Sequence, residues 1–130
     1  MDYHFDAILH TSFDDAVVKV TEALKTEGFG ILTEIDMQAK LKEKLGVDYK
    51  KYKILGACNP SFGYKALQIE EMVGVMLPCN FVVTEKEDGS ILVAAIDPIA
   101  SMMAIQNPAL ESHAAEVTEK IKKIVNLLKS

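Results

Sequence analysis

Alternation and helical periodicity divide the chain into strands and helices in a regular order. "YHFDAILH" (3–10) predicts a strand with Tyr3, Phe5, Ala7 and Leu9 on one side. Ser12 suits a helix cap, with Asp15 three residues on, and Phe13, Val17, Val20 and Leu24 then form one apolar stripe that Gly28 ends. "FGILTEI" (29–35) predicts the second strand, and Asp36 caps a short helix carrying Met37, Leu41 and Leu45 and closed by Gly46. After the loop "VDYKKY", Lys53 to Ala57 predicts the third strand. A helix of about twelve residues follows Pro60, with Phe62, Ala66, Ile69 and Val73 on one face.

Residues 80–96 read as a β-hairpin, "NFVVTEKE" and "SILVAAI" joined by Asp88-Gly89 as a two-residue turn. Asp97-Pro98 starts a short helical turn and Asn107-Pro108 the last helix. In that helix Leu110, Ala114, Val117, Ile121, Ile124 and Leu128 make a long, regular stripe that demands a packing surface. The order β-α-β-α-β-α-β-β-α ends in a hairpin rather than a further crossover. That ending favours an α+β fold, a mainly antiparallel sheet of about five strands with helices packed on one face. No linker or repeat interrupts residues 1–130, which read as a single domain.

Charge narrows the function classes. The net charge is −5, and all 14 basic residues are lysines. An acidic chain without arginine argues against nucleic-acid binding and lacks the bidentate fork used to grip carboxylates and phosphates. No apolar run is long enough for a membrane span, and "MDYHFDAILH" has no cationic leader. A cytoplasmic protein is the expectation. Cys58 and Cys79 are its two cysteines, a spacing that matches neither a metal knuckle nor a disulfide framework.

Asn59-Pro60, Asp97-Pro98 and Asn107-Pro108 share one grammar, an oxygen that caps orphan N–H groups followed by a proline with no N–H to lose. Capping explains most of these pairs. The cysteines invite a second explanation, because Cys58 precedes a helix start, where the macrodipole favours a thiolate. The ordinary reading is a small buried hydrophobe. A two-residue turn at Asp88-Gly89 pairs Phe81 with Ile96 and Asn80 with Asp97, and puts Cys79 beside Pro98. A twelve-residue helix runs back roughly 18 Å, and five extended residues, "VGVML", return roughly 17 Å. These lengths predict antiparallel third and fourth strands, with Cys79 brought to the level of Cys58.

"GFGILTEID", "KILGACNP", "ALQIEEMVGVMLPCNFVV" and "DGSILVAAIDP" together resemble the domain-of-unknown-function 302 family of small bacterial and archaeal proteins. The resemblance covers essentially the whole chain and keeps Cys58, Asn59, Pro60, Pro78, Cys79, Asn80, Asp97 and Pro98. It implies helices on a curved antiparallel sheet of TATA-box-binding-protein-like architecture, a cytoplasmic location and a homodimer. It implies neither DNA binding nor a particular reaction.

The leading functional expectation is a site for a small molecule or ion where the three motifs meet, formed by Cys58, Asn59, Cys79, Asn80 and Asp97, with Glu34 and Lys65 as weak rim contributors. A thiol enzyme is the first alternative, although His4, His10 and His113 are not placed beside a cysteine and read as surface or packing residues. An open metal site of both thiolates with a histidine or Asp97 carries no specific ligand spacing. A structural or interaction module is the last alternative, with Met102, Met103 and Ile105 as a dimer contact. The sequence names no cofactor and no ligand.

Overall fold

The computed structural model describes residues 2–129. Its strands are β1 (His4–Leu9), β2 (Gly30–Asp36), β3 (Tyr52–Cys58), β4 (Cys79–Glu85) and β5 (Ile91–Ile96). Its α-helices are α1 (Phe13–Thr26), α2 (Met37–Leu45), α3 (Pro60–Ile69), α4 (Pro98–Met102) and α5 (Pro108–Leu128). The strands form one antiparallel sheet in the order β1-β5-β4-β3-β2. This is the expected α+β arrangement.

One parity rule organises the sheet. Side chains alternate between faces, and the odd-numbered residues Leu55, Ala57, Cys79, Phe81, Val83, Ile91, Val93 and Ala95 are all buried. α1 and α5 cover them with the expected stripes. Phe13, Val20 and Leu24 come from α1, and Val117, Ile121, Ile124 and Leu128 from α5. A second, smaller cluster joins Ala66, Val73, Met102, Leu110 and Ala114. The short helix α2 buries no residue, and Leu45 is 70% exposed, so its stripe contributes little to the core.

The caps follow the sequence closely. Ser12 Oγ accepts from Asp15 N at 3.1 Å, and Asp36 Oδ1 from Ala39 N at 2.9 Å. Asn107 Oδ1 accepts from Ala109 N at 3.1 Å and Leu110 N at 3.4 Å. Gly28 and Gly46 end α1 and α2 with positive φ.

Two expectations are corrected. The hairpin turn is not two residues long. Lys86 N donates to Ser90 O at 2.8 Å, so Glu87, Asp88 and Gly89 form a three-residue loop with Gly89 at φ +87. Ser90 N and Oγ both donate to Asp88 Oδ1, which lowers the Asp88 carboxyl below its usual range. Phe81 therefore pairs with Ala95 and not with Ile96. The reason is burial, because the expected register would have set every inward residue of one strand against an outward residue of the other.

The second correction concerns α3. It stops at Ile69, Glu70 turns extended, and Glu71–Met76 returns as a 3₁₀ helix rather than as an extended segment. Val73 is nevertheless fully buried on the expected side. The antiparallel pairing of β3 with β4 also holds, with Ala57 opposite Cys79.

The uncovered face carries even-numbered residues, among them the partly buried Ile54, Val82 and Ala94. Gly56 lies in this layer, where an added Cβ would sit 2.6 Å from Pro78 Cγ and collide with Thr33 Oγ1. Gly56→Ala is therefore expected to destabilise the fold by about 1–3 kcal/mol. Gly74→Ala, with nothing within 4 Å of the new Cβ, should shift stability by less than about 0.5 kcal/mol. Urea midpoints of the two variants test this contrast.

Candidate functional site

The ends of β3 and β4, the first turns of α3 and α4, and the first half of α5 enclose a void. Fourteen residues line it, including Cys58, Asn59, Cys79, Pro98 and His113. Its cavity volume is about 30 Å³, enough for about two water centres without movement. The lining surface is almost wholly apolar, so the void is dry in character. It stays open because small residues stand where larger ones would fill it: Ala57, Gly63, Ala66, Cys79 and Ala114.

Cys58 ends β3 and is half-buried. Its Sγ lies against α3, where a Cβ added at Gly63 would be 2.9 Å away. Cys79 faces the same void from β4 and is buried. Burial raises the Cys58 thiol and pushes Cys79 up to about 11, with the neighbouring Cys58 adding to the latter shift. Both groups are neutral thiols at pH 7. Desolvation thus opposes the thiolate that a helix start would favour at Cys58.

Asn59 joins three elements. Its Oδ1 accepts from Phe62 N at 3.4 Å, capping α3, and its Nδ2 donates to Glu27 O at 3.1 Å at the end of α1. Glu27 also pairs with Lys120 of α5 at 3.5 Å. Asp97 is likewise occupied. Its Oδ1 accepts from Ile99 N at 3.0 Å and Thr118 Oγ1 at 3.5 Å, and its N donates to Tyr3 O at 2.8 Å. Pro98, but not Asp97, lines the void.

Asn80 lies elsewhere. It follows Cys79 by one residue, so it points to the uncovered sheet face, where it is exposed and borders a shallow groove with Tyr3, His4 and Val82. The five expected site residues thus divide. Cys58, Asn59 and Cys79 share the void, Asp97 supports its rim, and Asn80 is on the far side of the sheet. Glu34 is drawn away by Lys53 at 2.8 Å, a bond that raises the lysine, and Lys65 is exposed on α3.

His113 is a packing histidine, as the sequence suggests, but it also lines the void together with Cys58 and Cys79, which the sequence does not show. It is 7% exposed, and its ring meets Phe62 edge-on at 5.3 Å between centroids. Its Nε2 lies 2.8 Å from Phe62 O. A carbonyl only accepts, so Nε2 carries the proton. The available signal was position, since residue 113 falls between Leu110 and Val117 on the buried stripe of α5. His4, in contrast, pairs with Asp6 at the sheet edge. Met102 is buried in the smaller cluster, while Met103 is 54% exposed.

No cluster of three or more histidine, cysteine or acidic side chains is arranged to hold a metal among the described residues. No helix among them is long and apolar enough to cross a membrane.

A five-stranded antiparallel sheet backed by helices, with its CNP and PC motifs around one void, defines an α+β protein of the class suggested by the motifs. Residues 6–128 match the family described as "Domain of unknown function DUF302", and the chain belongs to that family. It is similar to an uncharacterized protein of Aquifex aeolicus (strain VF5), 29% identical over 85 residues. That match takes in 65% of this chain and 53% of the relative, so it spans about half the relative's length. The crystal structure of an uncharacterized conserved DUF302 protein from Bacillus stearothermophilus superposes with a TM-score of 0.90 at 28% identity. This comparison covers 97% of this chain and 98% of the other.

Because folded Cys79 keeps its proton to about pH 11, the native state holds more protons than the unfolded chain above the ordinary thiol range. Stability should therefore fall as pH rises from about 9 to 11, by about 2–3 kcal/mol in total. Cys79→Ala should flatten that slope. Denaturant titrations at pH 8 to 11 measure it, and an equal slope in the variant would assign the loss to other groups.

Proposed function

We propose that this chain is a binding protein that takes the apolar end of a small neutral molecule into the void beneath α3. The observation that carries this reading is the lining itself, where small side chains leave apolar space unfilled inside a packed molecule. Cys58 and Cys79 act as neutral, polarizable packing groups in this reading. The side-chain bonds of Asn59 and Asp97 are directed to the backbone and to Thr118, so the site selects on shape and hydrophobicity. A charged ligand gains nothing from such a lining and loses its hydration there.

Raised thiol pKa values also oppose the thiol-enzyme alternative. A nucleophilic cysteine needs a lowered pKa or a base within hydrogen-bond reach, and the hydrogen bond that His113 makes goes from Nε2 to Phe62 O rather than to a thiol.

Xenon under pressure and 1-butanol are the test probes, read by amide NMR shifts at Ala66, Ala114 and Val117. Both should shift these resonances saturably in the wild-type chain. Ala66→Val and Ala114→Val, tested separately, should each reduce the response at least about fivefold by filling apolar space. An absence of saturable shifts with either probe would leave the void a simple packing gap and end the proposal.

A further inference from the structure

The void has a thin outer wall. On its other side an open apolar groove of about 430 Å³ runs between α3 and the β2 edge, lined by Leu32, Tyr64, Leu67 and Pro78, among others. Cys58, Gly63 and Leu77 border both spaces. At Gly63 the absence of a side chain lets the Cys58 sulfur lie directly against the helix. Leu32 is 67% exposed, Tyr64 66% and Leu67 46%, and no charged residue lines either space.

We infer that groove and void form one site for a single unbranched alkyl chain, whose tip passes the Cys58 sulfur while its body lies in the groove and its polar end remains in water. This ligand class rests on the binding function proposed above and narrows it. The shapes carry the argument, because a wide, open apolar trough meets an interior space only about two water centres in size. A branched or aromatic body fits the trough but not the inner space. A slender methylene chain fits both, and it covers exposed apolar side chains that otherwise face water. Rotation of the Cys58 side chain is the movement that joins the two spaces.

The experiment is a homologous series of 1-alkanols from butanol to decanol, with Kd from calorimetry or NMR titration. Affinity should rise about three- to fourfold per added methylene and level off once the groove is filled. Leu32→Ser combined with Leu67→Ser should weaken decanol at least about tenfold and leave xenon and butanol unchanged. Both side chains are exposed and outside the void, so folding should be preserved. Bound decanol should also slow alkylation of Cys58 by a maleimide at least about tenfold.

A flat alkanol series with xenon and butanol still entering the void would overturn the alkyl-chain inference and spare the smaller binding reading. Failure of xenon and butanol as well would overturn both. Sedimentation with neutral phosphatidylcholine vesicles, unrelieved by decanol, would assign the groove to membrane contact and also overturn the inference.

Discussion

The structure depends on burying one face of a five-stranded sheet while leaving the other uncovered. Alternation makes this constraint unforgiving, since any one-residue change in pairing reverses the face of every residue in a strand. It sets the three-residue loop at Glu87 to Gly89 and the pairing of Phe81 with Ala95. It also separates Cys79 from Asn80, adjacent in sequence and on opposite sides of the sheet. A thiol in the core and an amide in solvent are consequences of the same rule.

The region beneath α3 shows how polar motif residues can surround an apolar space. The oxygen of Asn59 and the carboxylate of Asp97 cap helices, and His113 bonds to a backbone carbonyl. Once those bonds are made, methyl groups, sulfur and ring edges dominate the remaining surface. The motif letters suggest polar recognition, whereas the folded arrangement favours apolar contact. Burial then keeps both thiols protonated and completes a neutral lining.

Much of the fold was legible because local signals were strong. Ser12, Asp36, Asn59, Asp97 and Asn107 all cap as their sequence context indicates, and the α5 stripe is buried as its spacing requires. The antiparallel β3–β4 pairing agrees with the lengths in the sequence even though α3 is shorter than its periodicity predicts and Glu71–Met76 is a 3₁₀ helix rather than an extended return. Loop length after Glu85 was misread because Asp88-Gly89 is a strong two-residue turn signal. Weighing the core alternation of Phe81 and Val83 against Val93 and Ala95 would have selected the correct register. His113 reads as a packing histidine in the sequence, but its place on one void with Cys58 and Cys79 depends on tertiary packing that a lone histidine does not announce. The void itself is a property of side chains from five separate segments, and no local pattern encodes it.

The attachments of α3 bear on the kinetics of exchange. Asn59 ties its start to α1, His113 holds Phe62 O, and Asn107 Nδ2 donates to Ile69 O at 3.4 Å at its far end. Lifting this helix as a lid would break bonds at several points together. Turning one cysteine side chain requires none of that, and such rotations occur on far shorter timescales than helix displacement. A molecule crossing this wall would have a residence time governed by its contacts inside, with little contribution from the opening of the protein around it.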